Sequence, residues 1–160
     1  TCSRNGNNSF PVLAGRNARV EVEMGLDCSH GAFHGAYSSF NRFRKALAEA
    51  CGGSSPPHAP GAMFDGQLIG PDDWFWDDEV VPVEHHAGLL AIMEHSDCEG
   101  ELTPDQCAAV SGFLRWAAPR MTTEASGHLL RAGHTMGDVA LRFADGCDRA
   151  VAAGESLTFG

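Results

Sequence analysis

The sequence lacks a long apolar run and has few basic side chains, and each shortage excludes a class of protein. No run approaches the ~20 apolar residues that a membrane-spanning helix needs. The polar residues 1–9 lack the apolar core of a secretory signal peptide. We therefore expect a cytoplasmic protein that has no membrane partner.

The charge balance is strongly acidic. Eleven Lys and Arg residues stand against 21 Asp and Glu residues, which gives a net charge of −10. Proteins that bind nucleic acid directly neutralise its phosphates with basic side chains, so we expect no direct nucleic-acid binding. A local basic spot can still hold a small anionic ligand, because such a site does not need a basic surface overall.

Several catalytic and metal-binding signatures are also missing. The sequence has no Cys-x-x-Cys pair, no His-Glu-x-x-His motif, no Gly-x-Ser-x-Gly elbow and no phosphate-binding glycine loop. A zinc ribbon and a thioredoxin-type site are therefore disfavoured, and no Ser-His-Asp triad is indicated. The chain does contain six cysteines. Without a secretion signal, we interpret them as thiols or metal ligands rather than disulfides.

The length and composition fit one folded domain, since 43% of the 160 residues are hydrophobic. Residues 1–23 are interpreted as an N-terminal extension ahead of Met24, and residues 24–160 as a single α+β domain with a small β-sheet and about four helices. Apolar spacing and capping residues place the elements. They are helices at residues 36–51, 104–118, 123–133 and 135–153, and strands at residues 19–24, 89–93 and 157–159.

Two short segments combine His, Cys and Asp directly after predicted strands. The first is Leu-Asp-Cys-Ser-His at residues 26–30, and the second is His-Ser-Asp-Cys at residues 95–98. Reactive loops collect at strand ends, and imidazole, thiolate and carboxylate groups are ligands of Zn²⁺ and related divalent ions. The candidate metal ligands are His30, His34, His95 and Asp97, with Cys28 and Cys98 as alternatives.

These ligands predict a small metal-assisted hydrolase of esters or phosphoesters. If the following helix began early, His30 and His34 would lie four residues apart on one face and chelate one ion. A metal-bound water would be the nucleophile, and Glu99 or Asp97 would move the proton. Two other interpretations remain open: the same residues form a metal-free polar site, or they only stabilise loops.

Two longer motifs contain these segments. They are Gly-Leu-Asp-Cys-Ser-His-Gly-Ala-Phe-His-Gly-Ala-Tyr-Ser-Ser-Phe-Asn-Arg at residues 25–42 and His-Ser-Asp-Cys-Glu-Gly-Glu at residues 95–101. With them, the chain resembles a family of small uncharacterised proteins from phages and bacteria, over most of residues 24–159. The resemblance implies an origin in a mobile element and a family start at Met24. It implies no activity, because the family has none assigned.

A non-catalytic alternative follows from this resemblance. An accessory protein of a phage or mobile element would bind a host protein through the acidic residues 72–79, which include Trp74 and Trp76. It would otherwise bind a small anionic ligand. The glycine-bearing residues 31–37 enter a helix N-terminus, where backbone N–H groups favour an anion, and Arg42 or Arg44 would reach that anion.

Overall fold

A computed structural model describes residues 25–53, 63–64, 67–68, 76–96 and 99–160. This part of the chain has an α+β fold, as predicted, with helices and short antiparallel strands around one hydrophobic core. The helices are α1 (Tyr37–Ala50), α2 (His86–Met93), α3 (Pro104–Ala117) and α4 (Met136–Ala153). The strands are β1 (Gly25–Asp27), β2 (His34–Ala36), β3 (Met63–Phe64), β4 (Gln67–Leu68), β5 (Gly100–Leu102) and β6 (Leu157–Phe159).

Strand β6 lies between the two segments that the sequence singles out. On one edge it pairs antiparallel with β5, and Phe159 is opposite Gly100. On the other edge an isolated bridge joins Phe159 to Cys28, at the end of the β1–β2 pair. The Asp27 N–H also donates to the Gly160 carbonyl at 3.0 Å. The last strand therefore connects both halves of the candidate site.

Capping residues begin helices α3 and α4, and a glycine ends α4. The Thr103 hydroxyl accepts from the Gln106 N–H at the start of α3, and the Gln106 side chain accepts from the Thr103 N–H. Helix α4 starts in the same way at Thr135 and ends at Gly154, whose φ of 68° is the left-handed cap conformation. Such caps each contribute about 1 kcal/mol. The sequence prediction is confirmed at these positions.

The core positions the first segment against α4. Phe40, Phe43 and Phe143 are fully buried, and the rings of Phe43 and Phe143 stack with centroids 6.0 Å apart. The 3-10 turn Ser29–Gly31 lies on α4, where Gly146 contacts Ala32 so closely that a Cβ atom would overlap the Ala32 backbone. Only glycine permits this approach.

Three predicted elements differ from the structure. Residues 89–93 belong to helix α2 rather than to a strand, because a short apolar run fits either a buried helix or a buried strand. Residues 123–133 form a bridge at Glu124 and the 3-10 helix Gly127–Arg131 instead of an α-helix. Helix α1 begins at Tyr37, so His30 and His34 do not share one of its faces.

No helix within the described ranges is long and apolar enough to cross a membrane. The predicted extension, residues 1–23, lies outside the described residues.

Candidate functional site

The two predicted clusters meet at Phe159. Its backbone pairs with Cys28 from the first cluster. Its ring stacks on the His95 imidazole from the second cluster, with 4.0 Å between the ring centroids. The clusters are therefore neighbours in space, although residues 30 and 95 are far apart in sequence.

The backbone of His30 is strained. Its φ of 58° makes it the one residue other than glycine in the left-handed region within the described chain. That conformation costs about 1 kcal/mol or more for an L-residue and persists where neighbouring contacts enforce it. Arg149 supplies such a contact, because its Nε and Nη2 atoms donate to the His30 carbonyl at 2.9 and 2.6 Å.

The His30 side chain links a hydroxyl to a carboxylate. Its Nδ1 atom is 3.0 Å from Ser29 Oγ, and its Nε2 atom is 3.0 Å from Glu155 Oε2. The Thr158 N–H donates to Ser29 Oγ at 2.9 Å, which leaves the Ser29 proton for His30 Nδ1. A neutral imidazole then carries its proton on Nε2 and donates it to Glu155. Each donor in this series of hydrogen bonds therefore has one acceptor.

Solvent exposure increases from the His30 side chain to the Glu155 side chain. The His30 side chain is 18% exposed, whereas the Glu155 side chain is 67% exposed. The imidazole is therefore sheltered but reachable from solvent at one side, as a proton-transfer group requires.

Cys28 lies on the core side of this cluster and is buried. Burial, with a smaller contribution from the Asp27 carboxylate, raises the pKa of the Cys28 thiol to about 12. The thiolate is the form that binds a metal. At neutral pH this side chain is a protonated thiol packed in the core.

His34 and Asp27 form an exposed pair across the first two strands. They lie directly opposite each other in the β1–β2 register, and His34 Nδ1 is 3.5 Å from Asp27 Oδ1. An imidazole and a carboxylate at this spacing are two of the ligands a divalent ion would need. A third would have to come from another element.

His95 has backbone rather than side-chain partners. Its Nδ1 atom is 2.6 Å from the Ser96 carbonyl oxygen, and its Nε2 atom is 3.3 Å from the Glu101 carbonyl oxygen. The ring also covers Gly100, where a Cβ atom would lie 3.1 Å from His95 Cε1. Binding a metal through His95 requires the ring to turn away from one of these carbonyls.

The remaining predicted residues of the second cluster are described only in part. Glu99 is exposed. Asp97 and Cys98 lie outside the described residues, so their predicted roles stay predictions. Within the described ranges, no three His, Cys, Asp or Glu side chains come together as a metal-binding group.

Arg44 is buried against the core, and the anion site predicted at residues 31–37 stays a prediction. Its side chain lies over the Phe40 ring, 4.4 Å from the centroid, and it donates to the His95 carbonyl. Arg42 instead donates to Ser126 Oγ at 2.9 Å. Neither bond is directed to residues 31–37, where the sequence suggested an anion.

The acidic aromatic segment is also described in part. Trp76 is half-buried against the core, and its Nε1 atom donates to Asp78 Oδ1 at 3.0 Å. Trp74 lies outside the described residues. A host-protein interface at residues 72–79 stays a prediction.

Sequence reasoning missed the partners of Ser29 and His30. Glu155, which follows the C-cap of α4, bonds to His30, and Thr158 of β6 bonds to Ser29, in both cases from more than 120 residues away along the chain. A lone Glu after a helix cap carries no signal of such a contact, and Ser29 does not lie in a Gly-x-Ser-x-Gly elbow. Comparison with protein-family models, curated proteins and solved structures finds no match.

Proposed function

We propose that this protein is a small esterase-type hydrolase that uses Ser29 as nucleophile and His30 as general base. The observation that supports the proposal is the continuous chain from Ser29 Oγ through the His30 ring to Glu155. Nucleophile, base and orienting carboxylate in hydrogen-bond sequence are recognised by geometry rather than by sequence motif. The strained His30 backbone adds support, since strain of this kind collects at functional sites.

Each member of the chain has a defined task. The Ser29 oxygen attacks an ester carbonyl as its proton passes to His30 Nδ1, and the Glu155 carboxylate stabilises the imidazolium that forms. The alcohol leaves with the proton that His30 carries, and the acyl group stays on Ser29. Water then gives one proton to His30 Nδ1 and attacks the acyl-serine. The carboxylic acid leaves as that proton passes from His30 to Ser29 Oγ, which restores the hydroxyl and the neutral imidazole.

The direct test is labelling and hydrolysis by the full chain. A serine-reactive fluorophosphonate should modify Ser29, as read by peptide mass spectrometry, and p-nitrophenyl acetate should be hydrolysed. Ser29→Ala should remove the label and lower the rate about 100-fold, and Glu155→Gln should lower the rate less. Absence of labelling and of hydrolysis in the unmodified protein would overturn the proposal.

A matched control separates this site from ordinary imidazole reactivity. Exposed imidazoles react slowly with activated esters, and His134 is exposed outside both clusters. His134→Ala should keep the wild-type rate. Equal losses in His134→Ala and Ser29→Ala would argue against a dedicated nucleophile.

A metal-assisted hydrolase is the second candidate, supported by the convergence of both clusters at Phe159. His34 with Asp27, and His95 with Asp97 or Cys98, would supply the ligands; a bound divalent ion lowers the pKa of its water to about 7. Elemental analysis of the purified chain after incubation with Zn²⁺ tests this. Near-stoichiometric metal that is lost in both His34→Ala and His95→Ala supports the candidate, and no bound metal overturns it.

A further inference from the structure

A second feature of the structure lies outside the Ser29–His30–Glu155 chain. A cavity of about 50 Å³ opens between the start of β2, the 3-10 helix Gly127–Arg131 and the first half of α4. A water molecule needs on the order of 10–15 Å³ measured in this way, so the cavity has room for a few atoms of a small ligand. Its walls come from three separate parts of the chain.

The floor and the rim of this cavity differ in chemistry. Phe33, Leu129 and Val139 line the floor and are buried, with 1–3% of their surface exposed. The rim carries His34, Arg131 and Arg142, all of which are exposed. An apolar pocket with a few convergent polar groups is typical of a small-molecule site.

The rim is cationic in a protein with a net charge of −10. Arg142 is held in place because its Nη1 atom donates to the Arg131 carbonyl at 3.0 Å and its Nε atom to the Gly31 carbonyl at 3.4 Å. The Arg131 guanidinium makes no hydrogen bond or ion pair with any described residue. Within the described part of the chain, the rim histidine His34 pairs with the Asp27 carboxylate at 3.5 Å.

We infer that this cavity binds a small carboxylate that carries a short apolar chain. A planar guanidinium matches a carboxylate with two parallel hydrogen bonds, and no described residue occupies the guanidinium donors of Arg131. The apolar chain of the ligand would lie on Phe33, Leu129 and Val139, where it displaces water from apolar surface. A compact phosphate satisfies the rim but leaves the floor uncovered. This inference concerns binding and does not depend on hydrolysis.

The test is a titration of the isotope-labelled full chain by two-dimensional ¹H–¹⁵N NMR at constant ionic strength. Three probes are compared: butyrate, the uncharged 1-butanol and inorganic phosphate. Butyrate should shift the amide signals around residues 32–34, 129–132 and 139–142 in a saturable way. Butanol and phosphate should bind at least ten-fold more weakly.

Arg131→Gln is the informative variant, because Arg142 also joins two walls and its removal can disturb the cavity itself. Arg131→Gln should weaken butyrate binding ten-fold or more, with an unchanged melting temperature. Arg120→Gln is the matched control, since Arg120 is an exposed guanidinium that stacks on Trp116 instead. Binding that is non-saturable, equal for phosphate, equal for butanol or unaffected by Arg131→Gln would overturn the inference.

Discussion

His30 and His95 lie beside the two edges of the same strand, β6, yet they are held in different ways. His30 bonds to the side chains of Ser29 and Glu155, whereas His95 faces the backbone carbonyls of Ser96 and Glu101. The side-chain hydrogen bonds of His30 allow it to accept a proton and release it again. A ring between two carbonyls and on Phe159 fixes local structure. Two segments of similar composition therefore support different roles.

The largest expected effect is on the rate of ester hydrolysis, which should depend on His30 and not on His95. His30→Asn should lower ester hydrolysis about 100-fold, because the base is lost, while Asn tolerates the left-handed backbone at this position. His95→Asn should leave the hydrolysis rate of the folded protein within a factor of about three. Steady-state rates on p-nitrophenyl acetate measure both. A larger loss in His95→Asn than in His30→Asn would reverse the assignment of roles.

The next effect concerns how the first cluster is seated on α4. Gly146→Ala should lower the free energy of unfolding by about 2 kcal/mol, because the new methyl group would overlap the Ala32 backbone. Gly112→Ala, in an exposed position of α3 where the nearest atom to a new Cβ would be His85 Nδ1 at 4.0 Å, should raise stability by about 0.5–1 kcal/mol. Urea unfolding of both variants gives the comparison. Stabilisation by both substitutions would mean that the turn Ser29–Gly31 is not packed tightly against α4.

The buried Cys28 thiol of the first cluster should make the stability of the protein depend on pH. The pKa of the Cys28 thiol is about 12 in the folded protein and about 8.5 in an unfolded chain. Between these values the unfolded state binds fewer protons, so stability should fall as pH rises above about 8.5, by about 1 kcal/mol per pH unit per thiol.

Denaturation of the wild type and of Cys28→Ala at pH 8 and pH 10 measures this slope. Burial also raises the pKa of Cys51 to about 12 and raises the pKa of Cys147. Cys28→Ala should therefore reduce the pH dependence without abolishing it. An unchanged slope would indicate that Cys28 ionises normally in the folded protein.

The smallest expected effect is the contribution of His95 to stability. His95→Ala removes a ring stacked at 4.0 Å on Phe159 and should cost about 1 kcal/mol. Thermal unfolding followed by circular dichroism measures it. His85→Ala is a matched control, because His85 contacts Trp116 at 5.8 Å between centroids and should cost less.

The parts of the fold that sequence could predict are those set by neighbouring residues. Thr103 and Gln106 form their capping box within one turn, and the apolar spacing of residues 36–51 defines α1. Residues 89–93 were predicted as a strand because five apolar residues have no resolvable period. Buried Leu89, Ile92 and Met93 show the helical spacing only once their partners are known.

The candidate site was predicted in part for the same reason. His30 could be selected from its local composition, but its contact with Glu155, and that of Ser29 with Thr158, depend on how β6 returns to β1. The early start of α1 that would pair His30 with His34 does not occur, since residues 34–36 bond across to β1 instead. Whether two segments meet depends on long-range topology, which short motifs do not encode.

The bond between the Thr158 N–H and Ser29 Oγ joins residues 129 positions apart. Closing so long a loop costs chain entropy before any contact repays it, and such contacts form slowly. We expect helices α3 and α4 to be protected from hydrogen exchange early in refolding, and the Thr158 amide late. Early protection of Thr158 would contradict this order. A polypeptide whose helices have folded would still lack the hydrogen bonds that join Ser29, His30 and Glu155. The proposed activity should therefore report the completion of folding rather than its onset.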